Sequence, residues 1–464
     1  MSSNETTSQF GSKIGLIAAT VGSAVGLGNI WRFPAEAQAN GGAAFLLLYI
    51  FCVLLLGIPV MLAEFSLGRE GKSDAIGTFR RLAPGTKWWY VGGLSIITPY
   101  LIGIFYMVVT GWTLEYLFQS ITGNLYHGLD HAAMAAGDFS GADVFFQAKM
   151  GEYISTPWAP IIFTWLVILI NIGILVGGVQ KGIERLSNVM MPLLFVSLIV
   201  ICCVTLSLPG AGEGLEWFLS PDFSKITPST VVSALGQAFF SLSLGMGILI
   251  TYAAYYPAST KLTQTSVIVA VMSLVVALLM GFVIFPAVSS FGLEGHSLMG
   301  TTLVFQTLPE VFSCLPLPQL WSILFFSLLF TAALTSSVSI MEVTVAFVEQ
   351  HFNLSRAKAA IISLAPLFVF SAVCSLSFSS LSDVKLFGSS IFDFLDNFTS
   401  NIMLPIVSIG VCIYVGWFAP KGLLHNQLTN YGSLQSRFSY VVMFIIRYLA
   451  PVLIALILLW PLFK

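Results

Sequence analysis

The chain has 464 residues, of which 57% are hydrophobic and only 9% charged, and its formal net charge is −2. Soluble proteins carry about 25% charged residues, so 19 basic and 21 acidic side chains cannot clothe a soluble body of this length. A soluble multidomain enzyme is thereby excluded, and without a basic surplus so is a nucleic-acid partner.

Taken in chain order, the polar stretch Met1–Gln9 holds no basic residue, and no signal-peptide pattern precedes the first apolar run, which is expected to be retained. Apolar residues then arrive in runs of roughly 18 to 28, enough to cross ~30 Å of hydrocarbon as helices. Eleven spans are predicted: 14–33, 43–67, 91–118, 157–178, 188–207, 230–255, 264–290, 318–348, 359–378, 396–418 and 440–462. The longest gap, 119–156, is polar, with Asn124, Asp130, His131, Asp138 and Asp143, and holds no separate domain. Cys52, Cys202, Cys203, Cys314, Cys374 and Cys412 are scattered, five of them inside apolar runs, and form neither a disulfide framework nor a metal spacing. The expected class is an all-α polytopic membrane protein.

Basic residues in short loops set orientation. With the N-terminus inside, the inner loops hold Lys13, Arg69, Lys72, Arg80, Arg81, Lys87, Lys181, Arg185, Lys261, Arg356, Lys358, Lys421 and Arg437. The outer side holds only Lys149, Lys225, Lys385 and Lys464, while Arg32 and Arg447 lie in spans or at their edges. The C-terminus is therefore expected outside.

Two spans are interrupted. The first reads Gly22-Ser23-Ala24-Val25-Gly26-Leu27-Gly28-Asn29; the sixth reads Phe240-Ser241-Leu242-Ser243-Leu244-Gly245-Met246-Gly247. Gly22 and Gly26 alone would suit ordinary close helix packing. Two breaks five spans apart, each with hydroxyls, fit a transporter built from inverted repeats around a mid-membrane site. The expected division is a cytoplasmic segment at 1–13, a first repeat at 14–207 (spans one to five), a second at 208–418 (spans six to ten), and a loop with a peripheral eleventh span at 419–464.

The run Ala24-Val25-Gly26-Leu27-Gly28-Asn29-Ile30-Trp31-Arg32-Phe33-Pro34, followed by Asn40-Gly41-Gly42, resembles the first-helix motif of the sodium-coupled neurotransmitter symporter family. Its bacterial, LeuT-like amino-acid branch is the nearest likeness. The resemblance continues through Lys181-Gly182-Ile183-Glu184-Arg185, Gly236–Gly245 and Leu334-Thr335-Ser336-Ser337, in the right order over nearly the whole chain. It implies a LeuT fold with a 5+5 inverted repeat, helices one and six broken, and a multi-pass protein of a bacterial cytoplasmic membrane. It also implies two sodium ions. The first would take the Ala24 carbonyl, the Asn29 side chain, Ser241, Ser273 and the substrate carboxylate. The second would take the carbonyls of Gly22, Val25 and Ala332 with the hydroxyls of Thr335 and Ser336. On the same basis the substrate carboxylate meets the N–H groups around Leu27 and Gly28 and the Tyr106 hydroxyl, and its amine meets Ala24, Phe240, Ser241 and Ser243. Ser23, Ile102, Phe240, Met246, Ser336 and Ile340 would line the side-chain pocket. Gly26 leaves room for a substrate that brings its own carboxylate, where amine-transporting relatives carry an aspartate.

Span seven holds no acid between Lys261 and Glu294. Bacterial relatives usually place a carboxylate there, at positions that correspond to Ser273 and Ala277. An uncompensated buried positive charge is costly, so chloride dependence is expected, with Tyr49, Gln237, Ser241 and Ser273 as the implied ligands. The competing source of compensation is Glu64 or Glu342, although the resemblance gives Glu64 the role of capping the broken sixth helix. For the outer gate, Arg32 is expected to pair with Asp396 above Tyr106 and Phe240. At the inner gate the family's ion pair falls on Thr7 and Gln350, both neutral, so closure is expected from Phe10, Tyr255 and neutral hydrogen bonds. Gly182 and Pro192 bracket a stretch of span five expected to unwind locally.

The expected activity is sodium-driven import of a neutral, hydrophobic L-amino acid (branched-chain or similar, or aromatic) by alternating access. The protein is expected to be a monomer or weak homodimer in the bilayer. The alternatives are a chloride-independent symporter, a membrane sensor that binds without accumulation, and a channel. Proton coupling through Glu342 is a further alternative, disfavoured by the neutral, hydroxyl-rich sites. An intramembrane enzyme is disfavoured because no His, Cys or paired acids converge in the spans.

Overall fold

The computed structural model describes residues 9–129, 141–293, 302–435 and 438–460. Thr7, Asp130, His131, Asp138, Glu294, Arg437 and Lys464, named above, lie outside the described residues. Within them the chain is helical, and the only β-type pairing is one bridge between Leu386 and Ser389.

The first span is a bent pair, α1 (Lys13–Ala24) and α2 (Gly28–Ala39), with 51° between the halves. Nine further helices are long and apolar enough to cross a bilayer. They are α3 (Ala43–Gly71), α5 (Trp89–Thr122), α7 (Trp158–Val176), α8 (Val179–Leu206), α12 (Leu262–Ser290), α14 (Pro318–His351), α15 (Arg356–Leu376), α16 (Ile391–Phe418) and α18 (Ser439–Leu459). The sixth predicted span is instead two helices, α10 (Pro228–Ser241) and α11 (Ile248–Ala254), each too short to cross alone. Short helices α4 (Ala75–Leu82), α6 (Ala142–Ser155), α9 (Ala211–Leu219), α13 (Leu308–Ser313) and α17 (Leu423–Leu428) join the spans.

Local chemistry sets several of these boundaries. Ser12 caps α1 by accepting from the Gly15 N–H at 2.9 Å, and Asp74 caps α4 through the N–H groups of Ile76 and Gly77. Thr227 and Thr230 form a reciprocal capping box ahead of α10, with Pro228 at its first position, where a missing N–H is harmless. Five wide π-turns, Gly28–Arg32, Val53–Gly57, Leu303–Thr307, Thr399–Met403 and Ile445–Leu449, each end two residues before a proline: Pro34, Pro59, Pro309, Pro405 and Pro451. The proline ring pushes on the preceding turn and cannot donate to it, so the turn widens.

The core lies around α1, α5, α10, α11 and α14. Residues 331 to 346 of α14 are buried on every side, as a helix central to a membrane bundle must be. Phe51, Leu54, Leu169, Val196 and Val369 face outward at the rim, where lipid is the solvent. Span five is continuous helix here: a π-turn at Val179–Glu184 runs into Arg185–Leu206 with Pro192 inside. The expected local unwinding is therefore absent. Gly182 packs so closely on the Ile174 carbonyl that a side chain would not fit.

Candidate functional site

Both broken helices come apart at the same place. α1 ends at Ala24, and Val25 turns extended, with φ −93° and ψ 95°. After α10, Leu242 starts a six-residue gap in which Ser243, Gly245 and Gly247 all take left-handed backbone, at φ 56°, 76° and 66°. Glycine enters that region freely. Gly245 has a second reason to be glycine, because a Cβ would lie 2.6 Å from the Leu404 carbonyl oxygen. Ser243 bears the strain as a non-glycine residue, and its hydroxyl donates to the Ser23 carbonyl at 2.7 Å, tying one break to the other. The freed Gly245 N–H donates to Glu64 Oε1 at 2.8 Å. Glu64 thus caps the broken sixth helix, as expected.

Between the breaks lies a small cavity of about 30 Å³. Its lining is all thirteen residues expected to contact substrate: Ser23, Ala24, Gly26, Leu27, Gly28, Ile102, Tyr106, Phe240, Ser241, Ser243, Met246, Ser336 and Ile340. None carries a charge. Three glycine contacts set its shape. A Cβ on Gly26 would lie 2.5 Å from Ser336 Oγ and 3.2 Å from the Tyr106 hydroxyl, and one on Gly28 would lie 2.6 Å from the Phe240 ring. A Cβ on Gly22 would lie 3.4 Å from Thr335 Cβ. The Tyr106 hydroxyl is buried beside the Leu27 backbone and Ser336 without a well-formed hydrogen bond to either. Leu27 and Gly28, at the start of α2, line this space, and a helix N-terminus favours an anion.

The residues expected at the first sodium site are brought together. Asn29 Nδ2 donates to Ser273 Oγ at 2.9 Å and to its carbonyl at 3.2 Å. Ser273 Oγ donates in turn to the Ser241 carbonyl at 3.3 Å. Asn29 Oδ1 is left buried without a donor. A buried orphan oxygen among neutral oxygens fits a dehydrated monovalent cation. Of the second set, Gly22 on α1 meets Ser336 on α14, while the Thr335–Ala332 bond is local to α14. Ser336 Oγ donates to the Gly22 carbonyl at 3.2 Å, and Thr335 Oγ1 lies 3.1 Å from the Ala332 carbonyl.

The four residues named for chloride are adjacent and already bonded. Tyr49 donates to Ser241 Oγ at 2.9 Å, and Gln237 Nε2 donates to the Gly28 carbonyl at 2.8 Å, leaving Gln237 Oε1 unpartnered. An anion here would have to draw the Tyr49 hydroxyl and the Gln237 amide away from those acceptors. Ala277 is fully buried on the same helix as Ser273.

The gates differ from expectation. Arg32 makes no direct ion pair with Asp396, since its Nε lies 3.8 Å from Glu36 Oε1 and its guanidinium sits over the Phe240 ring at 4.8 Å, but its charge still acts on the Asp396 carboxyl. Glu36 is one helical turn further along α2, so the local i, i+4 partner wins. Asp396 accepts from Ser400 at 3.1 Å. At the gate expected on the inner side, the Phe10 N–H donates to the Tyr255 carbonyl at 3.3 Å, and the Phe10 ring sits among Tyr252, Tyr255 and Tyr256 at 5.9, 6.5 and 6.1 Å. Gln350 makes the expected neutral bonds, accepting from Ser73 Oγ at 3.0 Å and the Asp74 N–H at 2.9 Å. Closure is nevertheless not wholly neutral. Glu342, fully buried, forms a two-pronged ion pair with Arg356 and accepts from the Tyr255 hydroxyl at 2.8 Å, while Arg356 also reaches Glu349 at 3.1 Å. Two further bonds hold α11: Tyr252 to Ser339 and Tyr256 to Thr20, both at 2.7 Å. Sequence reasoning missed these. The cue lay in three tyrosines within five residues at the end of the sixth span, and in an acid within the eighth.

A family model described as the sodium:neurotransmitter symporter family matches residues 7–137 and 142–464. An uncharacterized sodium-dependent transporter, YhdH of Bacillus subtilis, is 36% identical over 97% of this chain and 96% of its own length. An uncharacterized sodium-dependent transporter of Haemophilus influenzae is 35% identical, covering 99% of both chains. Among solved structures, MhsT in complex with L-phenylalanine superposes with a TM-score of 0.87 at 39% identity, over 97% of this chain and 99% of that one.

Proposed function

The chain belongs to the sodium:neurotransmitter symporter family, whose members are sodium-coupled transporters rather than enzymes, and from that premise we propose that it carries a neutral, hydrophobic L-amino acid inward together with sodium. The observation that carries this reading is the uncharged cavity between two broken helices, with free helix-end dipoles at one edge and apolar side chains at the other. The lining suits a zwitterion, its carboxylate toward the start of α2 and its amine toward freed carbonyls, and the small space between the breaks must widen to admit one. Ile102, Met246 and Ile340 offer only dispersion contacts to its side chain. Gly26 brings no side chain of its own between Ser336 and the Tyr106 hydroxyl, where even a Cβ would be crowded. The bound L-phenylalanine of MhsT supports an aromatic or similarly bulky substrate.

Asn29, Ser241, Ser273 and the Ala24 carbonyl hold one sodium in this reading; Gly22, Val25, Ala332, Thr335 and Ser336 hold the other. Both are cargo. Orientation follows the basic inner loops, with the N-terminus in the cytoplasm of a bacterium and the C-terminus outside. The two repeats, 14–207 and 208–418, move against each other about the site. Competition for uptake in proteoliposomes tests the substrate class. Leucine, phenylalanine and tryptophan are expected to compete while aspartate and arginine do not; equal competition by a charged amino acid would contradict it.

Chloride dependence is part of the same reading. α12 contains no ionisable residue anywhere along its length, Glu64 is engaged with Gly245, and Glu342 is paired with Arg356. The positive charge near Ser273 is then left for an external anion to balance. Replacing chloride with gluconate should depress uptake, and Ala277→Glu should make uptake indifferent to the exchange. Dependence that survives in Ala277→Glu counts against the assignment.

A further inference from the structure

Arg447 is a positive charge inside the last span that nothing above uses. It sits in α18, about two turns in from Ser439. Its Nε donates to the Gly416 carbonyl at 2.6 Å, and its guanidinium lies over the Trp417 ring at 5.1 Å. Trp417 Nε1 returns a bond to the Arg447 carbonyl at 3.2 Å. Gly416 allows the approach, since a Cβ there would lie 3.0 Å from Arg447 Cα. These contacts pin the side chain at the seam of α16 and α18. Among the described residues no carboxylate pairs with Arg447, and its terminal nitrogens donate to no protein group.

The surroundings face outward. Trp417, Phe418, Phe444 and Tyr448 are 56%, 61%, 58% and 47% exposed. Such rings mark the level where hydrocarbon meets headgroups. Phe418 touches Trp88 at 4.9 Å, and the next residue, Trp89, lies under Arg80 at 5.5 Å. Arg80 is exposed beside this aromatic shelf, and Arg81 and Lys87, close to it in sequence, are exposed as well. An unpaired guanidinium at the lipid boundary is costly unless it finds a counter-charge. Two free terminal nitrogens on a planar fork match a phosphate. The exposed rings give acyl chains and glycerol a surface, which a free phosphate ion would not use.

We propose that the seam between α16 and α18 binds the phosphate of an anionic phospholipid of the inner leaflet, with Arg447 as its main contact, Trp417 beside it and Arg80 as a second cation. The leaflet follows from the orientation given above; the binding itself does not depend on it.

The full chain in nanodiscs of phosphatidylcholine mixed with phosphatidylglycerol, released gently and weighed by native mass spectrometry, tests this. Wild-type protein is expected to retain phosphatidylglycerol over phosphatidylcholine. Arg447→Gln should weaken that preference about fivefold, the worth of one basic residue near an anionic surface; Arg447→Lys should keep most of it, and Arg80→Gln should lose less. Equal retention of the two lipids by wild type, unchanged preference in Arg447→Gln, or a second copy of the chain in place of lipid would overturn the proposal. Should Arg447→Gln fail to fold, brominated lipids replace it. The Trp417 emission, taken as the difference from Trp417→Phe, should be quenched more by brominated phosphatidylglycerol than by brominated phosphatidylcholine. Equal quenching would overturn the assignment.

Discussion

Gly26 is where one missing carbon decides the most. Its place is bounded by Ser336 Oγ and the Tyr106 hydroxyl, so a methyl group must push both aside. Overpacking of this kind costs about 1–3 kcal/mol. Gly26→Ala should therefore raise the substrate concentration for half-maximal uptake roughly tenfold, with the protein still folded by thermal unfolding. Asn29 makes a separate test. Asn29→Ala removes two bonds to Ser273 and the orphan Oδ1 together. The sodium concentration for half-maximal uptake should rise well beyond the change seen for substrate, as read from sodium titrations of uptake. Residue types at this scale were legible in the sequence because backbone does most of the binding. Glycines and small hydroxyls are the visible trace of a helix that has to open. Arg32 was not legible in the same way: Asp396 and Glu36 are both acids within reach of a span end, and only three-dimensional packing chooses between them.

Among elements, the sixth helix is held open from one side and shut from the other. Glu64 on α3 holds the break by taking the Gly245 N–H. Glu64→Ala leaves that donor buried and unmet, at a cost of about 1–3 kcal/mol, and should lower the unfolding temperature and blunt substrate binding together. The inner half, α11, is held by its tyrosines, and the Tyr255 hydroxyl leads to the Glu342–Arg356 pair. Removing one partner of a buried ion pair strands the other, at about 3–5 kcal/mol. Arg356→Ala should therefore open the inner side, which cysteine labelling at position 255 in a Tyr255→Cys background would report as faster modification. Unchanged labelling would place the closure in the Phe10 cluster alone. The neutral Gln350 was read correctly from sequence, yet the inner side still acquired an ion pair, because Arg356 reaches α14 from the next helix. Sequence spacing shows what a helix carries; it does not show which neighbour it leans on. The prolines are the opposite case. Their effect is local, so the five π-turns that end two residues before a proline carry a cue in the sequence, although Pro99, Pro192 and Pro286 sit in helices without one.

At the scale of the whole molecule, the two breaks meet in one place although 213 residues separate Leu27 from Phe240. An inverted repeat makes that meeting a consequence of symmetry, which is why spans and breaks were readable together. The same architecture requires the cavity to face one side at a time, with ligands shifting populations rather than driving a fixed motion. A sensor or a channel could share the pocket; neither would concentrate its ligand.

The most direct test is therefore accumulation. Purified protein in sealed proteoliposomes is given labelled L-phenylalanine with sodium outside only, and again with equal sodium on both sides. The account predicts that the label rises transiently above its external concentration in the first case, only equilibrates in the second, and that the overshoot vanishes when the sodium gradient is collapsed. Entry at the same rate and to the same level in both cases would contradict it.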